Sequence, residues 1–179
     1  MKLFKKAVLG TVFAVLAVGL VGASTTASHS VQMQVNEICL LGVTGAPPAL
    51  VIAPPASGGL TPSNASDSST YLLYTSTVVA SKSRVISAAW GTSDAAPAGC
   101  SLKLTATPGA GTNQGASAGQ ITLASTAHNI VTTIKSCATG TAAGNGAKLA
   151  YVLSVDDVTA LVASESKTVT ITFTLTDAA

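Results

Sequence analysis

The chain has 179 residues, of which 47% are hydrophobic and only 9% charged, with a formal net charge of +2 at pH 7. The few basic residues are scattered and form no cationic stripe, so nucleic acid is not expected as a partner. The composition is too apolar for a disordered chain, and the length suits one domain with a core.

The first 23 residues have the layout of a bacterial-type secretory signal peptide. Met1–Lys6 is basic, Ala7–Val21 is apolar and uncharged, and small residues follow. We expect cleavage after Ala23, with Ala27 as the alternative site. Because the apolar run is shorter than the ~20 residues of a spanning helix, no membrane span is expected after cleavage. The mature protein is therefore predicted to be secreted and associated with the cell surface.

The mature chain, residues 24–179, is predicted to begin with a strand extension over residues 28–43. Val31, Met33 and Val35 alternate with polar residues, which is the period of a half-buried strand. The alternation fails at Glu37 and resumes in the other parity over Ile38–Val43, so a bulge or bend is expected between them. The first arm is the candidate inter-subunit strand, and the second is expected to join its own domain.

The rest of the chain alternates short strand-like segments with loops, and no helical period lies between them. The segments are Ala49–Ala53, Thr70–Thr77, Arg84–Trp90, Ser101–Thr107, Gln120–Ser125, His128–Lys135, Lys148–Val155 and Lys167–Thr176. Ser57–Ser69 and Pro108–Gln120 are predicted as loops, and Asp156–Ser164 as a helical turn or a loop. This spacing predicts a single all-β domain, an immunoglobulin-like two-sheet β-sandwich of about seven to nine strands.

An exported protein with three cysteines is expected to oxidise two of them. Cys100 precedes one predicted strand and Cys137 follows another, so both lie at one end of the sandwich if those strands are antiparallel neighbours. We therefore predict a Cys100–Cys137 disulfide. Cys39 would remain, either as a buried thiol or as an intermolecular crosslink.

No catalytic or metal-binding pattern is present in the sequence. The two histidines, His29 and His128, are not in a ligand or triad spacing, and no nucleophile motif occurs. Asp156 and Asp157 are adjacent and suit a solvated corner better than an acid pair. We therefore predict no enzyme activity, no catalytic residue, no metal and no cofactor.

Two features are compatible with a surface glycan as a ligand. The last strand carries a row of threonines, and the mature chain contains the aromatic residues Tyr71, Tyr74, Trp90 and Tyr151. The more economical interpretation is that the threonines form an ordinary outer face and that the aromatic side chains pack in the core.

The two ends of the chain resemble pilins that assemble by donor-strand exchange. The resemblance rests on Val31–Val35 followed by Leu40-Leu41-Gly42, and on the closing strand Val169–Thr176. It implies that the N-terminal strand of one subunit fills a groove in the next, held by main-chain hydrogen bonds and alternate side-chain pockets. We therefore expect a non-enzymatic structural subunit that self-associates into a homopolymer, as part of a filament, pilus or surface matrix. The alternative is a secreted monomeric module that is adhesive or binds carbohydrate.

Overall fold

The computed structural model describes Thr26 and residues 28–178, so the predicted signal peptide lies outside the described residues. The chain divides after Gln34 into a first unit and a second, compact unit, Val35–Ala179. The second unit is built from two antiparallel sheets, and the predicted all-β sandwich is confirmed. Across the described part of the chain, no helix has the length and hydropathy of a membrane span.

Ten strands are present in the described residues, three of them only two or three residues long. They are β1 Ile38–Thr44, β2 Ala65–Thr77, β3 Arg84–Trp90, β4 Cys100–Thr107, β5 Ala116–Ser117, β6 Gln120–Thr122, β7 His128–Ile134, β8 Cys137–Ala138, β9 Ala147–Val155 and β10 Ile171–Asp177. A 3-10 turn over Val158–Ala160 follows β9, where a helical turn or a loop was predicted.

The larger sheet has the order β1-β2-β9-β4-β6, and β8 pairs with β2 as well. The smaller sheet has the order β10-β3-β7-β5. All of these pairs are antiparallel. Strand β2 is the longest, at 13 residues, and it joins β1 on one side to β9 on the other.

The core lies between the inward faces of the two sheets. The larger sheet contributes side chains such as Leu72, Leu104 and Leu149, and the smaller sheet contributes Ile86 and Ile130, all of which are 0% exposed. Inward and outward residues alternate along β3 and along β2 from Thr70, so the period-2 pattern of the sequence correctly identifies the core there. Strand β7 departs from this pattern, because its adjacent residues Ile130 and Val131 are both 0% exposed. Burial of each such side chain contributes about 1.5–3 kcal/mol.

Strand β2 begins at Ala65, inside the stretch Ser57–Ser69 that was predicted as a loop. Polar residues at its start pair with β9, and the register shifts between Asp67 and Thr70. The Asp67 carboxylate accepts hydrogen bonds from the Ser69 N–H at 3.0 Å and from its hydroxyl at 2.9 Å. This side-chain contact satisfies the backbone at the irregularity and lets a polar stretch continue as strand.

Strand β5 lies inside the predicted loop Pro108–Gln120 and carries the chain across to the smaller sheet. Just before it, Gly115 has φ +91°, and a Cβ there would lie 2.5 Å from the Thr132 carbonyl oxygen. Only glycine fits this close approach. The Tyr74 hydroxyl donates a hydrogen bond of 2.5 Å to the Gln114 carbonyl, which ties the same loop to β2.

The predicted Cys100–Cys137 disulfide is not formed, because Cys100 and Cys137 are free thiols. Cys100 pairs with Val155 beside the start of β2, whereas Cys137 pairs with Ser76 near the end of β2. At ~3.3 Å per residue the two cysteines lie on the order of 30 Å apart, far beyond the ~7 Å limit for a disulfide.

The physical reason is that the strands beside these cysteines, β4 and β7, lie in different sheets and are not neighbours. Cys39 is also a free thiol, and it is exposed, so the expectation of a buried thiol there is wrong. Burial raises the pKa of Cys100 and of Cys137 above the ordinary thiol value.

Two buried tyrosines predict a loss of stability at high pH. Burial, with a smaller contribution from Asp67, raises the pKa of Tyr151 to about 12, and burial raises the pKa of Tyr74 as well. In the unfolded chain the tyrosine hydroxyls lose their protons at about pH 10, whereas in the folded protein they keep them to a higher pH. The free energy of unfolding is therefore fully retained below about pH 10 and falls as the pH rises towards 12.

We expect Tyr151→Phe to weaken the dependence of unfolding free energy on pH, measured by urea denaturation between pH 8 and 11. The control is Tyr71→Phe, because Tyr71 is partly exposed and lies on the outward face of β2. If the unfolding free energy of Tyr151→Phe depends on pH as steeply as that of the wild-type protein, burial of Tyr151 does not cause the loss of stability.

Candidate functional site

The sandwich is closed along one long side. There the chain passes between the sheets through β4, β5, β6 and β7, and the side chains of Leu123, Ile130 and Val131 are at most 2% exposed. The Leu123 N–H donates to the Leu102 carbonyl at 2.9 Å, and the Trp90 N–H donates to the Ala124 carbonyl at 3.0 Å. The segment after β6 therefore bonds to both sheets and covers the core.

The opposite long side is formed by β1 and β10, which we call the open edge. Among the described strands, β1 pairs only with β2, and β10 pairs only with β3. Directly paired residues share a face of the sheet, so Leu41 and Val43 face inward with Tyr74 and Leu72. Val43 is nevertheless 50% exposed.

The apolar residues of β10 also face inward without being fully buried. Ile171, Phe173 and Leu175 pack against the core cluster but are only half-buried, whereas Ile86 and Ala88 of the adjacent strand are at most 1% exposed. On the outward face of β1, Leu40 is 63% exposed. The open edge therefore combines strand edges available for pairing with apolar side chains that the sandwich does not cover.

Arg84, the first residue of β3, closes one end of the open edge. Its side chain is 5% exposed, and its Nε lies 2.9 Å from Oδ1 of Asp177 at the end of β10. The guanidinium also donates to the Ile38 carbonyl oxygen of β1 and lies 3.7 Å from the Glu37 carboxylate. A buried guanidinium requires such partners, because an unpaired buried charge is costly.

The electrostatics agree with this geometry. The hydrogen bond to Asp177 is the largest effect on the pKa of Arg84 and raises it above its ordinary value, against the opposing effect of burial. Nearby, the Cys39 thiol donates a weak hydrogen bond of 3.5 Å to the Leu175 carbonyl oxygen. The start of β1 thus contacts the end of β10, so the two strands run in opposite directions across the open edge.

The structure places the two arms of the predicted extension differently. Ile38–Thr44 joins its own domain as β1, as expected for the second arm. Residues 28–37 form no strand, and Val31, Met33 and Val35 are 66%, 88% and 83% exposed. Their apolar side chains are presented to solvent, and their predicted role as an inter-subunit strand stays a prediction.

Of the four aromatic residues considered for glycan binding, only Tyr71 lies outside the core, partly exposed on the outward face of β2. Tyr74 and Tyr151 are buried in the core, and Trp90 packs at its margin. Thr172, Thr174 and Thr176 are exposed on the outer face of β10, in a single row. Among the described residues, no group of three or more His, Cys, Asp or Glu side chains is placed to hold a metal ion.

No family model, curated protein or solved structure matches this chain.

Arg84 is the residue of this site that the sequence reading missed. Its position in the alternation of β3 could have revealed it. Arg84 shares a face with Ile86 and Ala88, so it places a charge on the apolar side of the strand. A charge in that position indicates a buried ion pair or a functional contact.

We expect Arg84→Ala to lower the free energy of unfolding by about 2 kcal/mol, since it removes the charged hydrogen bonds that join β1 to β10. Arg84→Lys should recover only part of this, because an ammonium cannot reproduce the planar fork of donors. Lys82→Ala, in the exposed turn before β3, is the control. Urea denaturation measures all three, and equal midpoints for Arg84→Ala and Lys82→Ala would contradict the assignment.

Proposed function

We propose that the protein is an exported structural subunit that polymerises by strand addition, with the N-terminal segment of one copy entering the open edge of the next. The observation that carries this proposal is the open edge itself. Its inward-facing residues are apolar and half-exposed, while the opposite side of the sandwich is closed. A strand edge of this kind is a template for pairing with another chain.

The N-terminal segment has the properties that the open edge requires. Val31, Met33 and Val35 would point to one side of an extended strand and cover apolar residues such as Leu41 and Phe173, while the intervening polar residues face solvent. Five residues at ~3.3 Å each span about 17 Å, which is shorter than the seven-residue strands β1 and β10. Main-chain hydrogen bonds to a free edge would add to this apolar burial.

Low charge favours close packing of identical copies. The leader holds three lysines, so the mature chain would retain six basic against seven acidic residues and a formal net charge of −1. Copies with so little net charge repel each other weakly. The expected product is a homopolymer at the cell surface, as a filament, pilus or matrix.

A test uses the mature protein and two variants, one altered on each side of the proposed N-terminal strand. In the first variant, Val31, Met33 and Val35 are each changed to Asp, which places charges against the apolar open edge. In the control, Ser30 and Gln32 are changed to Asp, which alters only the solvent-facing side of the proposed strand. Sedimentation velocity and negative-stain electron microscopy measure assembly, and circular dichroism confirms that each variant is folded.

We expect the wild-type protein and the control to form oligomers or fibres, and the first variant to remain monomeric. A folded wild-type protein that stays monomeric at every concentration and forms no fibres would overturn the proposal. If that monomer also binds a glycan array, the secreted binding module becomes the better description.

A further inference from the structure

A second group of polar residues lies on the outer face of the larger sheet, away from the open edge. It consists of Asn64, Lys103, Ser154 and Asp156, together with the backbone N–H of Val155, from three neighbouring parts of the sheet. We propose that Lys103 and Asn64 join through an intramolecular amide bond, with loss of ammonia. This inference does not rest on the proposed function.

The sheet order brings the two reacting side chains together. Lys103 lies on β4 and Asn64 immediately precedes β2, and these strands flank β9 on its two sides. Ser154 of β9 is 7% exposed, and its hydroxyl oxygen accepts from Lys103 Nζ at 3.2 Å and from Asn64 Nδ2 at 3.4 Å. The amine and the amide are therefore held against the same atom.

The same group supplies a proton carrier and a donor for the developing oxyanion. Asp156 Oδ1 lies 3.7 Å from Lys103 Nζ and can take the proton that an ammonium must lose before it acts as a nucleophile. The Val155 N–H donates to Asn64 Oδ1 at 2.9 Å, the oxygen on which negative charge develops as the amide carbon is attacked. A cavity of about 510 Å³ lined by Asn64 and Asp156 opens beside them and gives ammonia a way out.

The proposed reaction balances without any further reactant. The Lys103 ammonium transfers one proton to Asp156, and the neutral Nζ attacks Cγ of Asn64 to form a C–N bond. The tetrahedral carbon then expels Nδ2, which takes a second proton from Nζ and leaves as ammonia. Asp156 returns its proton to that ammonia, so the products are one amide bond and one ammonium ion.

The product would link β4 to the chain entering β2 across the intervening strand β9. This is the part of β2 where the ladder with β9 is interrupted between Asp67 and Thr70. Beyond that irregularity, Asn64 already contacts β9 through two hydrogen bonds. A covalent bond there would make permanent a connection that the fold otherwise holds by hydrogen bonds alone.

Mass spectrometry of the mature protein tests the proposal directly. We expect an intact mass about 17 Da below that of the sequence, because ammonia leaves as the lysine amine acylates. Tryptic digestion should give a branched peptide joining Lys103 to Asn64, with no cleavage after Lys103. Lys103→Arg keeps the charge but removes the nucleophile and should restore the full mass, and Asp156→Asn should leave most of the protein unlinked.

Lys148→Arg is the matched control, because Lys148 is an exposed lysine on β9 and makes no contact within this group. It should keep the mass loss. A wild-type protein of full mass would overturn the proposal. So would a loss of the same size that persists in Lys103→Arg, since ring closure at Asn145-Gly146 also releases ammonia.

Discussion

The contact between Arg84 and the two edge strands is the interaction on which the open side of the sandwich depends. Arg84 belongs to the smaller sheet, yet its guanidinium donates to the Ile38 carbonyl of the larger sheet and to Asp177 of β10. On the closed side, connecting segments and apolar contacts hold the sheets together. On the open side, Arg84 supplies a charged bridge between two strands whose apolar faces are only half covered. Because the guanidinium is buried, losing either of these partners would leave a buried charge without compensation.

The edge strands lack the features that usually protect a free edge. Proteins discourage edge-to-edge pairing with lysines, prolines and inward-pointing charges on edge strands. Strand β1, with the sequence ICLLGVT, has none of these, and β10, with the sequence ITFTLTD, has only Asp177, which Arg84 engages. A solvent-exposed edge so composed would aggregate without control. A specific partner strand that covers it removes the hazard, so the lack of protection favours the strand-addition proposal.

Periodicity in the sequence predicted the parts of the fold in which one face is apolar and the other polar. Strands β3, β4 and β9 lie within a residue of their predicted bounds, because their alternation is strong. Strand β7 also lies within a residue of its predicted bounds, although its adjacent residues Ile130 and Val131 are both buried. The start of β2 was missed because Ala65–Ser69 has no apolar face, and pairing with β9 makes it a strand. The cysteine prediction was wrong because it depended on which strands are neighbours, and alternation within a strand contains no information on sheet membership. For the candidate site, alternation identified only the apolar residues Val31, Met33 and Val35, whose role as an inter-subunit strand stays a prediction. The open edge was not predictable from alternation, because it depends on β1 and β10 lying on the same side of the sandwich.

The positions of β1 and β10 limit where the N-terminal strand of another copy could insert. They also determine which strands would carry a pulling force along a polymer. Arg84 occupies the end of the open edge near Ile38 and Asp177. An inserted strand would therefore lie beside the partly covered residues Leu41, Val43, Ile171 and Phe173. A pulling force on the inserted strand would pass first to β1 and then to β2, which pairs with β1 between Tyr71 and Thr77. From β2 it would pass to β9, which pairs with β2 between Ala65 and Leu72. Strand β2 is therefore the mechanical link between the open edge and the core. Its ladder with β9 is interrupted between Asp67 and Thr70. Beyond that irregularity, Ala65–Asp67 pair with β9, and Asn64 forms hydrogen bonds with Ser154 and Val155. A covalent bond from Asn64 to Lys103 would extend those contacts across three strands, at the position where a pull along β2 is otherwise resisted by hydrogen bonds alone.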